Sequence, residues 1–328
     1  MSRCPETLLS LFAAILTALA PPFLLIGLGW GLKRARVLHP AHVPILNGLV
    51  VQVTLPALVL HGLLHAPRLS AALALPVLAA FGAEAACAAV AYGVGRAMRL
   101  PARVLGTVLL VGVYGNTGFI GYPLTLALVP SQFPVSILID QIGMNIPMYL
   151  SAALLGAQSG GSQGANGRRA AILRFLRSPL FGSLVLGIAL RLVPVPPALV
   201  GVPLVRALGE VVGKCLEYLG QGTIPIILLA LGVALRPGAA GGQAGPMALA
   251  CGCKLLVGPL AMWGLCRLLG LGGEVRMDGV LEAAMPASVM ASVLAAQNDL
   301  EGDFAGGVVF VSTVLSAVTI PLLLTVLR

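Results

Sequence analysis

A chain of 328 residues with 58% hydrophobic and only 9% charged residues, at a mean hydropathy of +1.00, holds more apolar surface than one water-soluble core can hide. The net charge of +9 does not mark a nucleic-acid binder, because most Lys and Arg fall in short connectors between apolar runs, as topogenic charge does. Lipid is therefore the expected solvent and nucleic acid is excluded as a partner.

The first apolar run, Leu8–Leu32, is longer than a signal-peptide core and leads into Lys33, Arg34 and Arg36 rather than a small-residue cleavage site, so a retained helix is predicted. Further runs follow at 44–65, 71–95, 104–128, 134–157, 178–194, 215–235, 247–269, 278–298 and 304–327. A stretch of about 20 apolar residues rising roughly 1.5 Å each crosses a hydrocarbon core of about 30 Å. The expected fold class is thus an all-α integral membrane protein with ten transmembrane helices. Between the fifth and sixth runs lies a Gly/Ser-rich and then Arg-rich segment, 158–177, which divides the chain into halves at 1–157 and 178–328. Val195–Lys214 reads either as an interfacial amphipathic helix ahead of the seventh span or as a loop.

In the first half the connectors after odd-numbered spans are Arg- and Lys-rich, while those after even-numbered spans hold only Arg68. The positive-inside rule then puts the linker 158–177 in the cytoplasm and both termini outside a plasma or inner membrane; the second half shows no such bias. Two halves with an odd number of spans must be inverted relative to one another. Duplication is supported by three pairings: Thr54-Leu55-Pro56 with Thr223-Ile224-Pro225, Pro123 with Pro286, and Ile146-Pro147 with Ile320-Pro321.

Span four reads Val113-Tyr114-Gly115-Asn116-Thr117-Gly118-Phe119-Ile120-Gly121-Tyr122-Pro123, in which glycines and a proline disfavour continuous helix near mid-membrane. Two half-helices with an unwound centre are expected, tolerated at that depth only against protein or a water-filled cavity. Span nine holds a counterpart, Glu282 to Ser288 around Pro286. Free amides at such half-helix N-termini favour an anion, which nominates Gly115, Asn116, Thr117, Pro286, Ala287 and Ser288. Gln141 and Asn145 share a face of span five. Charges inside apolar runs need a reason: Glu84 is nearly central and is the coupling candidate, Lys254 either snorkels or is functional, and Asp140 is expected toward the outer interface. Asp299, Glu301 and Asp303 read as a solvated turn. The four histidines lack metal-ligand spacing and the six cysteines form no CxxC, so neither a metal site nor a cofactor is expected.

The stretches GNTGFIGYPL and MPASVMASVLAAQNDLEGDFAGGVVFVSTVLSAVTIPLLL, with VTLPALVLHGL in span two, resemble the auxin efflux carrier family of plant carriers and bacterial carboxylate permeases. The resemblance runs through nearly the whole chain. It implies two inverted five-helix repeats, a scaffold and a mobile transport unit, with spans four and nine crossing at Pro123 and Pro286, Asn116 as a substrate-facing amide and Gln141 lining the cavity. It also implies a secondary transporter of a small organic anion, coupled to protons or sodium or neither, with a homodimer compatible. The long plant cytoplasmic loop is missing here, which speaks against plant-type regulation. A sodium-coupled bile-acid-type symporter and an anion channel are the alternatives. HExxH and facing aspartate pairs, which would mark an intramembrane hydrolase, do not occur.

Overall fold

A computed structural model describes residues 8–66, 73–158, 173, 175–193, 202–235 and 243–327. Among these residues every regular element is helical: α1 (Leu8–Arg34), α2 (Pro40–Leu64), α3 (Ala74–Ala97), α4a (Ala102–Val111) and α4b (Thr117–Leu128), α5 (Pro130–Gln158) and α6 (Pro179–Leu192). The chain continues through α7 (Pro203–Ala234), α8 (Ala244–Leu268), α9a (Gly273–Ala283), α9b (Val289–Gln297) and α10 (Gly302–Val326). Six of these, α2, α3, α5, α7, α8 and α10, are long and apolar enough to cross a membrane, and α4a, α4b and α6 are shorter apolar helices. The predicted runs fall on these helices. One boundary is corrected: 203–214 belongs to α7, an unbroken helix of 32 residues with an exposed Arg206–Glu210 ion pair, and is not a separate interfacial element. Apolar residues continue on both sides of Lys214, and nothing there breaks the turn. Residues 195–201, most of the linker including Arg168, Arg169 and Arg174, and Arg68 lie outside the described residues.

Packing divides the chain into two units that cut across the sequence halves. The smaller comprises Leu25–Ala71 and Arg174–Ala234, and packs α2 against α6 and α7 through Leu55, Leu58, Leu63, Leu184, Ile227 and Leu228. Its tightest approach joins α1 and α7, where a Cβ on Gly29 would overlap the Leu229 carbonyl and one on Gly232 the Ile26 carbonyl. Helices in lipid gain most from such backbone proximity, because apolar side chains are as comfortable in hydrocarbon as against one another. The larger unit takes in Ala72–Leu173 and Leu235–Arg328. Its core joins Val108 and Met148 to Ala250, Leu294 and Val308.

Four helices widen into a π turn immediately before a proline: 50–54 before Pro56, 117–121 before Pro123, 139–145 before Pro147 and 253–257 before Pro259. Proline offers no N–H and its ring collides with the carbonyl four residues back, so inserting one residue into the turn relieves both problems without ending the helix.

Candidate functional site

Span four does break, but at 112–116 rather than at Pro123. Helix α4a stops at Val111, Asn116 leaves helical geometry with φ −89° and ψ 57°, and α4b starts at Thr117. Pro123 lies seven residues beyond Asn116, buried within α4b, where it follows a π turn. Span nine breaks at 284–288 around Pro286. The two breaks pair as an isolated antiparallel bridge between Gly115 and Ala287. The Asn116 amide donates to the Pro286 carbonyl at 2.8 Å, and the Ser288 amide donates to the Tyr114 carbonyl at 3.0 Å. Tyr114, Asn116, Met285, Ala287 and Ser288 are all buried.

Buried backbone polar groups must find partners, and side chains from three helices supply them here. Ser312 of α10 accepts from the Ala287 amide at 3.0 Å, and the Gly115 amide points at Met144 Sδ of α5 at 3.2 Å. Lys254 of α8 donates to Ala283 O at 2.9 Å and Val113 O at 3.4 Å. Its ammonium therefore sits at the C-terminal ends of both α4a and α9a, where helix dipoles favour a cation. Lys254 is 2% exposed, which corrects the snorkelling alternative: the side chain turns inward to the crossing. It shares a small cavity with Glu84 and Cys87.

Glu84 of α3 is buried, with Oε1 lacking a partner among the described residues. It lines, with Cys87, Lys254 and Met144, a cavity with room for about one water molecule.

Asp140 is not at an interface. It is 4% exposed, midway along α5, and accepts from the hydroxyls of Thr117 and Tyr122 (2.8 Å for Tyr122) and from the amides of Gln141 at 2.6 Å and Asn145 at 3.2 Å. The expected shared face of Gln141 and Asn145 thus resolves into two donors on one carboxylate, and Thr117 joins them from α4b. Four donors offset the cost of burying this carboxylate. Asn116 Nδ2 is left buried with no partner among the described residues, beside the start of α4b and next to Ser288, whose hydroxyl caps α9b by accepting from Ala291 N at 3.4 Å.

The structure brings Gly115, Asn116, Thr117, Pro286, Ala287 and Ser288 together, links Gln141 and Asn145 to them through Asp140, and leaves Pro123 aside. Reading the sequence missed Asp278, Thr125 and Ser136 and gave Glu282 no role. Asp278 and Glu282 stand four residues apart inside a predicted apolar run, a signal that was available. Elsewhere the turn at 299–303 is held by Arg103 Nε donating to Asp299 O at 2.7 Å and by the Glu301 amide donating to Thr107 at 3.0 Å. Cys87, Cys215, Cys251, Cys253 and Cys266 are free thiols; Cys4 lies outside the described residues.

A family model described as membrane transport protein matches residues 14–324. An "Uncharacterized transporter" of Methanothermobacter thermautotrophicus is 28% identical over 319 residues, covering 97% of this chain and 96% of its own. A second uncharacterized transporter, from Methanocaldococcus jannaschii, is 26% identical over 303 residues, covering 91% and 94%. A protein of Rhizobium meliloti named "Putative malonate transporter" is 27% identical over 334 residues, covering 96% and 97%.

Proposed function

This chain belongs to the membrane transport protein family, the auxin efflux carriers, and from that footing we propose that it carries a small organic anion of the carboxylate class by alternating access. It is a multi-pass integral membrane protein of a transport family. The observation that carries the substrate class is the crossing, where the side-chain Nδ2 of Asn116, without a partner among the described residues, lies beside the starts of α4b and α9b, whose dipoles favour negative charge. Lys254 meanwhile occupies the opposite, carbonyl-bearing ends of α4a and α9a. The name of the Rhizobium relative makes a dicarboxylate such as malonate the first compound to try.

Two inverted five-helix repeats, 1–157 and 178–328 about the linker, fit the positions of matching features. Thr54 and Thr223, the bridge partners Gly115 and Ala287, and Pro147 and Pro321 are 169, 172 and 174 residues apart. The near-constant offset supports pairing Pro286 with the break at 112–116 in place of Pro123. In this reading the larger unit, which owns the crossing, is the transport body and the smaller unit is the scaffold, with both termini outside and the linker cytoplasmic.

Uptake of labelled malonate and other mono- and dicarboxylates into proteoliposomes tests the proposal. Saturable uptake is expected, and Asn116→Ala should lower it about 10-fold or more, the worth of one hydrogen bond to a charged group. Wild-type uptake of Asn116→Ala would remove this residue from the site, and no saturable carboxylate uptake at all would remove the substrate class.

A further inference from the structure

A second polar cluster is buried in the larger unit, beyond the crossing. Asp278 and Glu282 lie one turn apart on α9a and both are fully buried. Thr125 Oγ1 of α4b is 2.9 Å from Asp278 Oδ1 and 3.0 Å from Glu282 Oε1. Ser136 Oγ of α5 is 2.7 Å from Asp278 Oδ1 and 3.1 Å from Thr125 Oγ1. These O···O separations are of hydrogen-bond length, and a run from Ser136 through Asp278 and Thr125 to Glu282 takes three protons, whereas the two hydroxyls bring only two. A third proton on Asp278 completes a continuous run in which Ser136 donates to Asp278, Asp278 to Thr125, and Thr125 to Glu282. With that proton on Glu282 instead, the Thr125 hydroxyl rotates and donates to Asp278. The outer oxygens, Asp278 Oδ2 and Glu282 Oε2, are buried without partners among the described residues. Glu282 Oε2 faces Gly121, where any Cβ would overlap it.

We propose that Asp278 and Glu282 form a shared-proton site, exchanging one proton through Thr125, and that this proton is the one coupled to substrate movement. The proposal rests on the transport reading above. The reaction is proton binding alone: a carboxylate takes a proton from water on one side and returns it to water on the other. The 2.7–3.1 Å separations are those of hydrogen-bonded oxygens, which a shared proton supplies.

The site is wired to the crossing. Glu282 directly precedes Ala283, whose carbonyl Lys254 holds, and lies within electrostatic range of Lys254. Moving the proton from Asp278 to Glu282 removes a countercharge of the cation that pins both half-helix ends. Around the pair, α3 contributes Glu84, α5 Asp140, α4b Tyr122 and α8 Lys254, while Arg267 of α8 is turned onto the Trp263 ring. Glu274 and Arg276 belong to α9a itself, and Glu274 accepts from Ser131.

Two measurements test this. In proteoliposomes, substrate exchange without any gradient first establishes transport by the wild type; its absence would fail the transport reading and not the proton site. Where exchange is present, a gradient of about one pH unit should alter wild-type accumulation by about ten-fold for one coupled proton, and Asp278→Asn and Glu282→Gln should each abolish that response. A response that survives in both dyad variants, or one that follows sodium instead of protons, would overturn the proposal.

If a dyad variant is inactive altogether, thermal stability in detergent decides. The folded wild type holds a proton that the unfolded chain releases, so its stability should fall as pH rises and Asp278→Asn should flatten that dependence. An unchanged slope in Asp278→Asn would overturn the proposal equally.

Discussion

Lys254 shows how one side chain can stand in for a missing stretch of helix. The breaks at 112–116 and 284–288 strand carbonyls that no intrahelical amide reaches, and Lys254 supplies two of the donors. Lys254→Met keeps the apolar stem but leaves Val113 O and Ala283 O bare and Glu84 and Glu282 without their cation. A loss of about 2–4 kcal/mol is expected, read as a lower melting temperature in detergent together with loss of uptake. Glu84→Gln, which keeps the shape of the side chain, should cost far less stability. At this scale the sequence was informative about which charges lie among apolar residues, for Glu84, Asp140 and Lys254 all stand out in it. It was less informative about depth. Asp140 lies within a few residues of an uncertain span end and read as interfacial, Lys254 read as either snorkelling or functional, and Asp278, on a span end, drew no reading; packing shows all three buried.

Proline behaves differently within an element than a simple breaker would. Pro56, Pro123, Pro147 and Pro259 each widen the preceding turn and leave the helix running, whereas the true breaks fall at Gly112–Asn116 and around Pro286. Helix positions advance about 100° per residue, so one inserted residue rotates everything before it by that angle. The widened turn at 117–121 is what aims Thr117 at Asp140. Pro123→Ala should let the turn tighten, swing Thr117 off Asp140 and cut uptake about 10-fold, with helix content by circular dichroism unchanged. Unchanged uptake would mean the turn is widened for another reason. The sequence located both discontinuous helices from their composition of glycine, amide and proline. It misplaced the break in span four because a proline that stops a helix and one that widens it leave the same mark in a sequence.

Across the molecule, each packing unit is assembled from both halves of the chain, so neither half owns a finished core. Val108 and Met148, from before the linker, pack with Ala250, Leu294 and Val308, from after it. Residues 1–157 and 178–328 expressed separately should therefore be unstable, and co-expression should restore both protein level and uptake; an active single half would contradict this. The number and order of helical runs were legible because a charge-poor run of 20 or so residues is hard to mistake. Their grouping into units was not, since it depends on contacts between segments more than a hundred residues apart.

The bridge between Gly115 and Ala287 is made by main-chain atoms, which every amino acid brings in the same form. Where two helices are held together by side chains, changing the lining of a pocket also changes what holds the pocket in place. In the bridge itself those tasks are separate. Side chains flanking the bridge can be exchanged to suit another solute while the donors and acceptors that fix its position stay as they are, so relatives of this chain can diverge in cargo without rebuilding the crossing.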